Sequence, residues 1–161
     1  MRGVATMRKL VQTALALAVT AVLCACGSTG AENAALLNQP LNRGNARIKI
    51  VRTEGFIAGA RGARVKVDGK QVADLGTGGS TVLDVAAGGH EIMVDLWDHP
   101  NVYKLKLDAK PGMLYTLEVS ARSEAAVAGM FGVAGILAES AANQNGGVFQ
   151  IRVVSEKPIG S

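Results

Sequence analysis

The sequence predicts a mainly β protein whose folded part is an antiparallel β-sandwich of about seven to eight strands. Two observations carry this prediction: short stretches alternate apolar with polar residues, and turn-forming residues separate these stretches. A third observation concerns the N-terminus, where a hydrophobic run ends in two cysteines one residue apart. That run determines where the folded domain begins.

The hydrophobic run is typical of an export signal. Arg2, Arg8 and Lys9 precede residues 10–23, which are mostly Leu, Ala and Val. A run of about 14 residues is too short to cross a hydrocarbon core of ~30 Å as a helix. We therefore expect a signal peptide, with an ordinary secretory signal or an uncleaved anchor as the alternatives.

The end of this run, Leu23-Cys24-Ala25-Cys26, resembles the lipobox of bacterial lipoproteins. An aliphatic residue stands three positions before Cys26 and a small residue directly before it, whereas Cys24 directly follows the bulky Leu23. The resemblance implies that residues 1–25 are removed and that Cys26 carries diacylglycerol and a further acyl chain such as palmitate. Gly27 follows instead of an aspartate, which favours the periplasmic face of a Gram-negative outer membrane.

Other cysteine chemistry is excluded by this interpretation. A spacing of one residue does not fit a CxxC redox pair. Removal of Cys24 with the signal peptide leaves the lipidated Cys26 as the sole cysteine of the mature chain. A disulfide, a cysteine nucleophile and a thiolate metal site are then unavailable.

The charge balance argues against a nucleic-acid partner. The whole chain has 17 Lys and Arg against 13 Asp and Glu, a formal net charge of +4. Three of these cations belong to the signal peptide, which has no acid, so the mature chain keeps 14 against 13, a net charge of +1. For the small cluster Lys104, Lys106 and Lys110, a solvated sheet face is favoured over a site for anions or lipid headgroups.

The mature chain divides into a tether and one domain. Residues 26–45 are rich in Gly, Ala and Asn, and we expect a lipidated N-terminus and a flexible tether with a root-mean-square reach of roughly 25 Å. Residues 46–161 are about the size of one domain.

The predicted strands follow in order along this domain. Ile48 and Ile50 alternate with Arg47 and Lys49, and after a Gly-rich stretch comes the hairpin "ARVKVDGKQVADL", whose Asp-Gly pair at 68–69 suits a type I′ turn. The strand "STVLDV" comes next. Four later strands are predicted to face inward with Ile92, Val94 and Leu96; Tyr103, Leu105 and Leu107; Tyr115, Leu117 and Val119; and Phe149, Ile151 and Val153.

These segments together resemble a known group of proteins. "ARIKIVR", "VKVDGKQVADL", "STVLDVAAGGHEIMVD" and "YTLEV" are similar to uncharacterised bacterial lipoproteins with a PEGA-like β-sandwich domain. The resemblance covers nearly the whole mature domain. It implies a sandwich fold and an envelope location, and it carries no established activity.

Residues 123–147 break the β pattern. Ser123 can cap a helix that begins with Glu124, and the Ala-rich sequence favours its continuation to about Ala142. We expect this Ala/Gly-rich helix to cover an open face of the sandwich; the alternatives are a segment that faces lipid or a neighbouring protein, and a disordered loop. The candidate interaction surface on it is Met130, Phe131, Val133, Ile136 and Leu137.

Few residues suggest catalysis. His90 and His99 are the two histidines, and Asp95 and Asp98 lie near them in sequence. Residues 98–101 read first as a turn, and a metal site would lack regular spacing and a third ligand, so we expect neither a metal nor a cofactor. We expect Trp97 to pack against the sandwich, with a sugar-stacking platform facing peptidoglycan as the alternative.

Two functional hypotheses follow. The favoured one is a non-enzymatic envelope lipoprotein, a binding or structural accessory module held to the membrane by its N-terminal lipid, with envelope proteins as candidate partners. The alternative is a small hydrolase or metal-dependent module that uses His90, Asp95, Asp98 and His99. The two hypotheses differ in whether these four side chains converge in one pocket.

Overall fold

A computed structural model describes residues 31–53, 61–99, 101–122 and 146–159 of the chain. These residues form nine strands and a short 3-10 helix, Ala34–Asn38. The strands are β1 (Ala31–Glu32), β2 (Asn45–Arg52), β3 (Ala63–Val67), β4 (Lys70–Leu75), β5 (Ser80–Ala86), β6 (Gly88–Asp95), β7 (Val102–Ala109), β8 (Met113–Ala121) and β9 (Phe149–Pro158).

The strands form two sheets that pack face to face. One sheet has five strands in the order β1-β5-β2-β8-β9, and the other has four in the order β4-β3-β6-β7. Most neighbours are antiparallel, but β2 runs parallel to β8, and β1 runs parallel to β5. The predicted sandwich, mainly antiparallel, is confirmed. The parallel pairing of β2 with β8 at the centre of the larger sheet was not predicted, because alternation along single strands does not report their relative direction.

The core lies between the sheets and consists of the inward residues of alternating positions. The predicted inward sets of β6 and β8 are confirmed, as are Ile48 and Ile50 of β2. Tyr103 and Leu105 of β7 are half-buried at its margin. The largest fully buried apolar side chains are Tyr115, Phe149, Ile48, Ile50, Leu75, Ile92, Leu96, Leu117 and Ile151.

The turn between β3 and β4 has the predicted geometry. Asp68 has a φ of 51° and Gly69 a φ of 79°, so both central residues are in the left-handed region that a type I′ turn requires. Asp tolerates this region better than most residues, and Gly adopts it without steric cost. The hairpin prediction is therefore confirmed at the level of its turn.

Strand β9 departs from its prediction in its second half. Phe149 and Ile151 are buried, but every residue from Arg152 to Pro158 is exposed, and Val153 is 40% exposed. The register with β8 shifts after Val153, which marks a β-bulge or similar irregularity. Val153 stands directly opposite the buried Leu117, before this irregularity, so it shares one side of the sheet with Phe149 and Ile151 as predicted. The expectation that it is buried is wrong, because β9 leaves the core from Arg152 onward.

The buried side chain of Arg52 links the two sheets at one end of the sandwich. Arg52, on β2, donates from Nη1 to the carbonyl oxygens of Arg61 (2.5 Å) and Leu75 (2.7 Å), which belong to the other sheet and the segment leading into it. Its guanidinium also lies 4.7 Å from the centre of the Phe149 ring, a cation–π contact.

At the end of the sandwich that holds Arg52, all odd-numbered strands begin and all even-numbered strands end. We call it the long-loop end, since residues 53–62, 96–101 and 122–148 connect the strands there.

Residues 31–45 differ from the predicted tether. The short strand β1 pairs with β5, and the 3-10 helix packs against β5 before the chain enters β2. The side chain of Arg47 is 1% exposed and lies under this segment. Its Nε pairs with Asp84 at 2.6 Å, and its Nη1 donates to the Gln39 carbonyl oxygen at 2.9 Å, which holds the segment against the sheet. The alternation along β2 places Arg47 on the side opposite Ile48 and Ile50, and here that side is covered by the chain itself.

Candidate functional site

The four side chains of the catalytic alternative do not converge. His90 and Asp95 lie on the same strand, β6, five residues apart, which corresponds to about 17 Å at the rise of a β-strand. Asp98 and His99 follow in the β6–β7 loop. Within the described part of the chain, no three His, Cys, Asp or Glu side chains are grouped closely enough to hold a metal ion.

Asp95 is a structural carboxylate. It is 5% exposed on the outer side of the four-stranded sheet, where Arg64 Nε forms an ion pair with Oδ1 (2.6 Å) and Lys66 Nζ with Oδ2 (2.9 Å). Both cations come from β3, and Arg64 stands directly opposite Asp95 in the register. The arrangement neutralises the carboxylate and fastens β3 to β6, and it leaves neither oxygen available to a substrate.

Asp98 and His99 stabilise the β6–β7 loop. Asp98 pairs with Arg61 at 3.2 Å near the surface. The backbone N–H of Asn101 donates to Nδ1 of His99 at 3.4 Å, and the His99 N–H donates to the Leu96 carbonyl at 3.0 Å. These contacts are those of a turn, as the sequence favoured.

His90 forms the best-defined polar contact of the four. Its Nδ1 lies 2.6 Å from Oδ2 of Asp68, and its Nε2 lies 2.8 Å from the carbonyl oxygen of Ala86. A carbonyl and an ionised carboxylate both accept, so the doubly protonated imidazolium is the form that satisfies both contacts. The Ala86 carbonyl, and then the Asp68 carboxylate, raise the pKa of His90 above 6.5.

Asp68 completes a latch between the hairpin turn and β6, which we call the Asp68 latch. Its carboxylate accepts from His90 and, through Oδ1, from the backbone N–H of Glu91 (2.9 Å), while its own N–H donates to the Glu91 carbonyl (2.9 Å). The His90 contact, followed by the Glu91 N–H, lowers the pKa of Asp68 below 3.8. The latch explains why Asp, and not another turn residue, stands at this position of the hairpin.

A shallow groove of about 390 Å³ lies beside the Asp68 latch. It is lined by Gly89, His90, Glu91, Lys106, Leu107 and Asp108. Both ring nitrogens of His90 face protein acceptors, so the imidazole presents no free nitrogen to a molecule in this groove. General acid–base chemistry by His90 is therefore disfavoured by its own contacts.

The lysine cluster lies on a mixed-charge face. In the register of β6 and β7, Lys104 stands opposite Met93 and Lys106 opposite Glu91, so the two lysines share the outer side of the four-stranded sheet. Lys104 pairs with Glu91 at 3.4 Å. Acidic neighbours interleave with the cations, which fits the favoured interpretation of a solvated face.

Trp97 is placed differently from its prediction. The expected packing against the sandwich is wrong: Trp97 lies in the β6–β7 loop at the long-loop end and is 69% exposed. The reason is its position just past the end of β6, where Leu96 fills the core and the chain turns.

Two predicted sites lie outside the described residues. These are the lipidation site, Cys26, and the candidate interaction surface Met130, Phe131, Val133, Ile136 and Leu137 within the predicted helix. The connection that contains this surface leaves β8 and returns to β9 at the long-loop end, where Arg122 donates from Nη1 to the Gly147 carbonyl oxygen at 3.2 Å. Within the described part of the chain, no helix has the length and apolar character of a membrane span.

Comparisons with known proteins give little further information. No family model matches the chain, and no curated protein matches it. Among solved structures, the N-terminal domain of AlgF from P. aeruginosa is similar over 71% of this chain and 98% of that domain, with 15% sequence identity and a TM-score of 0.38. At this TM-score the likeness carries no argument about this chain.

Proposed function

We propose that this chain is a bacterial envelope lipoprotein whose β-sandwich acts as a non-enzymatic binding or structural accessory module. The observation that carries the proposal is the motif Leu23-Cys24-Ala25-Cys26 at the end of a basic and then hydrophobic N-terminal run. Several acyl chains on Cys26 would hold the domain stably at a bilayer, since stable anchoring takes more than one chain. Gly27 favours the outer membrane, periplasmic face.

The contacts of the four candidate catalytic side chains support the non-enzymatic part of the proposal. Asp95 pairs with two cations of β3, Asp98 pairs with Arg61, and His90 belongs to the Asp68 latch. His99 accepts within its own loop. Side chains that are separated in this way, each engaged in holding neighbouring elements together, favour a scaffold over a hydrolytic or metal-dependent centre.

The resemblance to PEGA-like lipoproteins forms part of the proposal. It agrees with an envelope location and supplies no activity, so the partner is sought among envelope proteins and the membrane itself. A net charge of +1 for the mature chain gives no support to a nucleic-acid partner.

The proposal is tested at the two cysteines, which serve as matched variants. We expect Cys26→Ser to abolish palmitate labelling, membrane association and processing of the precursor. Cys24→Ser, two residues away, should leave all three intact. Metabolic labelling, membrane fractionation and the mass of the mature N-terminus provide the readouts. Palmitate that persists in the Cys26→Ser protein would refute the assignment of the anchor.

A further inference from the structure

The fold leaves the indole of Trp97 exposed to solvent. Trp97 is the sole tryptophan of the chain, and it is 69% exposed at the long-loop end. Its neighbour Leu96 is buried, so the turn that begins there directs Trp97 away from the core. Tryptophan is enriched where one side of a ring meets apolar material and its N–H meets water, as at membrane interfaces and binding surfaces.

Strand β1, at the N-terminal side of the fold, joins the sandwich at the long-loop end. Strand β1 pairs in parallel with β5, with Ala31 opposite Ser80, and Ser80 in turn stands opposite Val51 near the end of β2. The backbone N–H of Arg52 donates to the Gly79 carbonyl oxygen at 2.8 Å in the same region. The chain therefore enters the fold at the long-loop end, the end that carries Trp97.

The chain between the anchor and this end is short. Ala31 follows Cys26 by five residues, which span at most about 18 Å when fully extended. The residues after β1 cannot lengthen this span, because the 3-10 helix packs against β5 and Gln39 is bound by Arg47. A domain held by so short a connection keeps the long-loop end toward the bilayer.

We propose that the long-loop end rests on the membrane that holds the acyl chains of Cys26, with the Trp97 indole at the level of the lipid headgroups. This inference rests on the proposed function, since it requires a lipid at Cys26. Arg61 is 55% exposed and pairs with Asp98, the residue that follows Trp97, so its guanidinium adds a group that can reach lipid phosphates. The opposite end of the sandwich, with the Asp68 latch and the β7–β8 turn, then faces the periplasm and its partners.

Trp97 itself provides the probe, because it is the sole tryptophan of the chain. The acylated protein is reconstituted in phosphatidylethanolamine and phosphatidylglycerol vesicles. We expect a blue-shifted emission, loss of most acrylamide quenching, and quenching by lipids brominated near the headgroup. The mass of the N-terminal peptide reports acylation separately.

Two variants are matched to this measurement. In Trp97→Phe combined with Lys110→Trp, the indole moves to the opposite end of the sandwich, at a position whose native side chain is also 69% exposed. We expect this indole to stay accessible to acrylamide and insensitive to brominated lipid. Insertion of about 20 Gly and Ser residues between Ser28 and Thr29, with a reach of roughly 25 Å, should return Trp97 to water.

The outcomes separate this inference from the proposed function. An acylated protein whose Trp97 is quenched by acrylamide as strongly as the indole at position 110 would overturn the orientation and leave the lipoprotein proposal intact. A blue shift caused by purified peptidoglycan in place of vesicles would also overturn it, in favour of a saccharide platform. A mature N-terminus without acyl chains would refute the proposed function, and the orientation with it.

Discussion

The Asp68 latch makes the stability of the sandwich depend on pH, and His90→Gln tests this dependence. Glutamine keeps one hydrogen-bond donor at the position but does not titrate. In the native protein the ring of His90 donates to the Ala86 carbonyl and to the Asp68 carboxylate, at 2.8 and 2.6 Å. The substitution therefore removes a charge and one of two contacts while leaving the β-sandwich core untouched.

The direction of the pH effect follows from the two pKa shifts. The pKa of His90 is raised above 6.5 in the folded state, so its contribution to the free energy of unfolding is complete below pH 6.5 and is lost as pH rises through the raised value. The pKa of Asp68 is lowered below 3.8, so its contribution is complete above pH 3.8 and is lost as pH falls through the lowered value. The latch stabilises the fold most between pH 3.8 and 6.5.

The size of the effect follows from the kind of contact. A hydrogen bond to a charged group contributes about 1.5–3 kcal/mol, and solvent screening of the half-exposed Asp68 puts the latch at the lower end. We expect His90→Gln to lower the free energy of unfolding by about 1–2 kcal/mol between pH 3.8 and 6.5, with a smaller loss at higher pH.

Urea unfolding followed by circular dichroism, across the range from acidic to alkaline pH, measures this difference. His99→Gln is the matched control, because it removes the other histidine of the chain and leaves the latch intact. Native protein and His99→Gln should both lose stability as the pH rises above 6.5, and His90→Gln should not. An equal loss in all three proteins would show that His90 does not carry the dependence.

Two further predictions concern the backbone and the N-terminal segment. Gly69→Val should lower the free energy of unfolding by more than the ~1 kcal/mol of a propensity change, because position 69 has a φ of 79°. Gly89→Ala is the control and should cost little, because position 89 has open space and no positive φ. Urea denaturation compares the two variants. Arg47→Met removes the partner of Asp84 and the donor to Gln39. It should cost about 1–3 kcal/mol, because Asp84 is partly solvated, and should speed proteolysis between residues 33 and 44. Unchanged cleavage would show that the segment is held by other contacts.

Much of the fold could be predicted from the sequence because its signals are local. The Asp68-Gly69 pair determines its own turn, and the alternation in β6 and β8 determines which residues are buried. The parallel pairing of β2 with β8 had no such signal, since both strands show the same period in either direction. The exposure of Val153 depends on where β9 extends beyond the core, which the alternation along a single strand does not reveal.

The polar contacts were harder to predict because they join residues distant in sequence. Asp68 and His90 are 22 positions apart, and Arg64 and Asp95 are 31 apart. The sequence placed His90, Asp95, Asp98 and His99 together because they are close along the chain. In a strand, however, five residues separate two side chains by about 17 Å, so closeness in sequence is a poor guide to a shared pocket.

The N-terminal segment shows why composition can mislead about orientation. Gly, Ala and Asn between residues 26 and 45 predicted a flexible tether, which would leave the domain free to turn above a bilayer. The contact that opposes this is Arg47, whose charge suggested an outward position but whose side chain is buried beneath Gln39 and paired with Asp84. In the proposed lipoprotein, that contact and the β1–β5 pair leave five residues between Cys26 and Ala31, so the exposed Trp97 would report which end of the domain rests on the membrane.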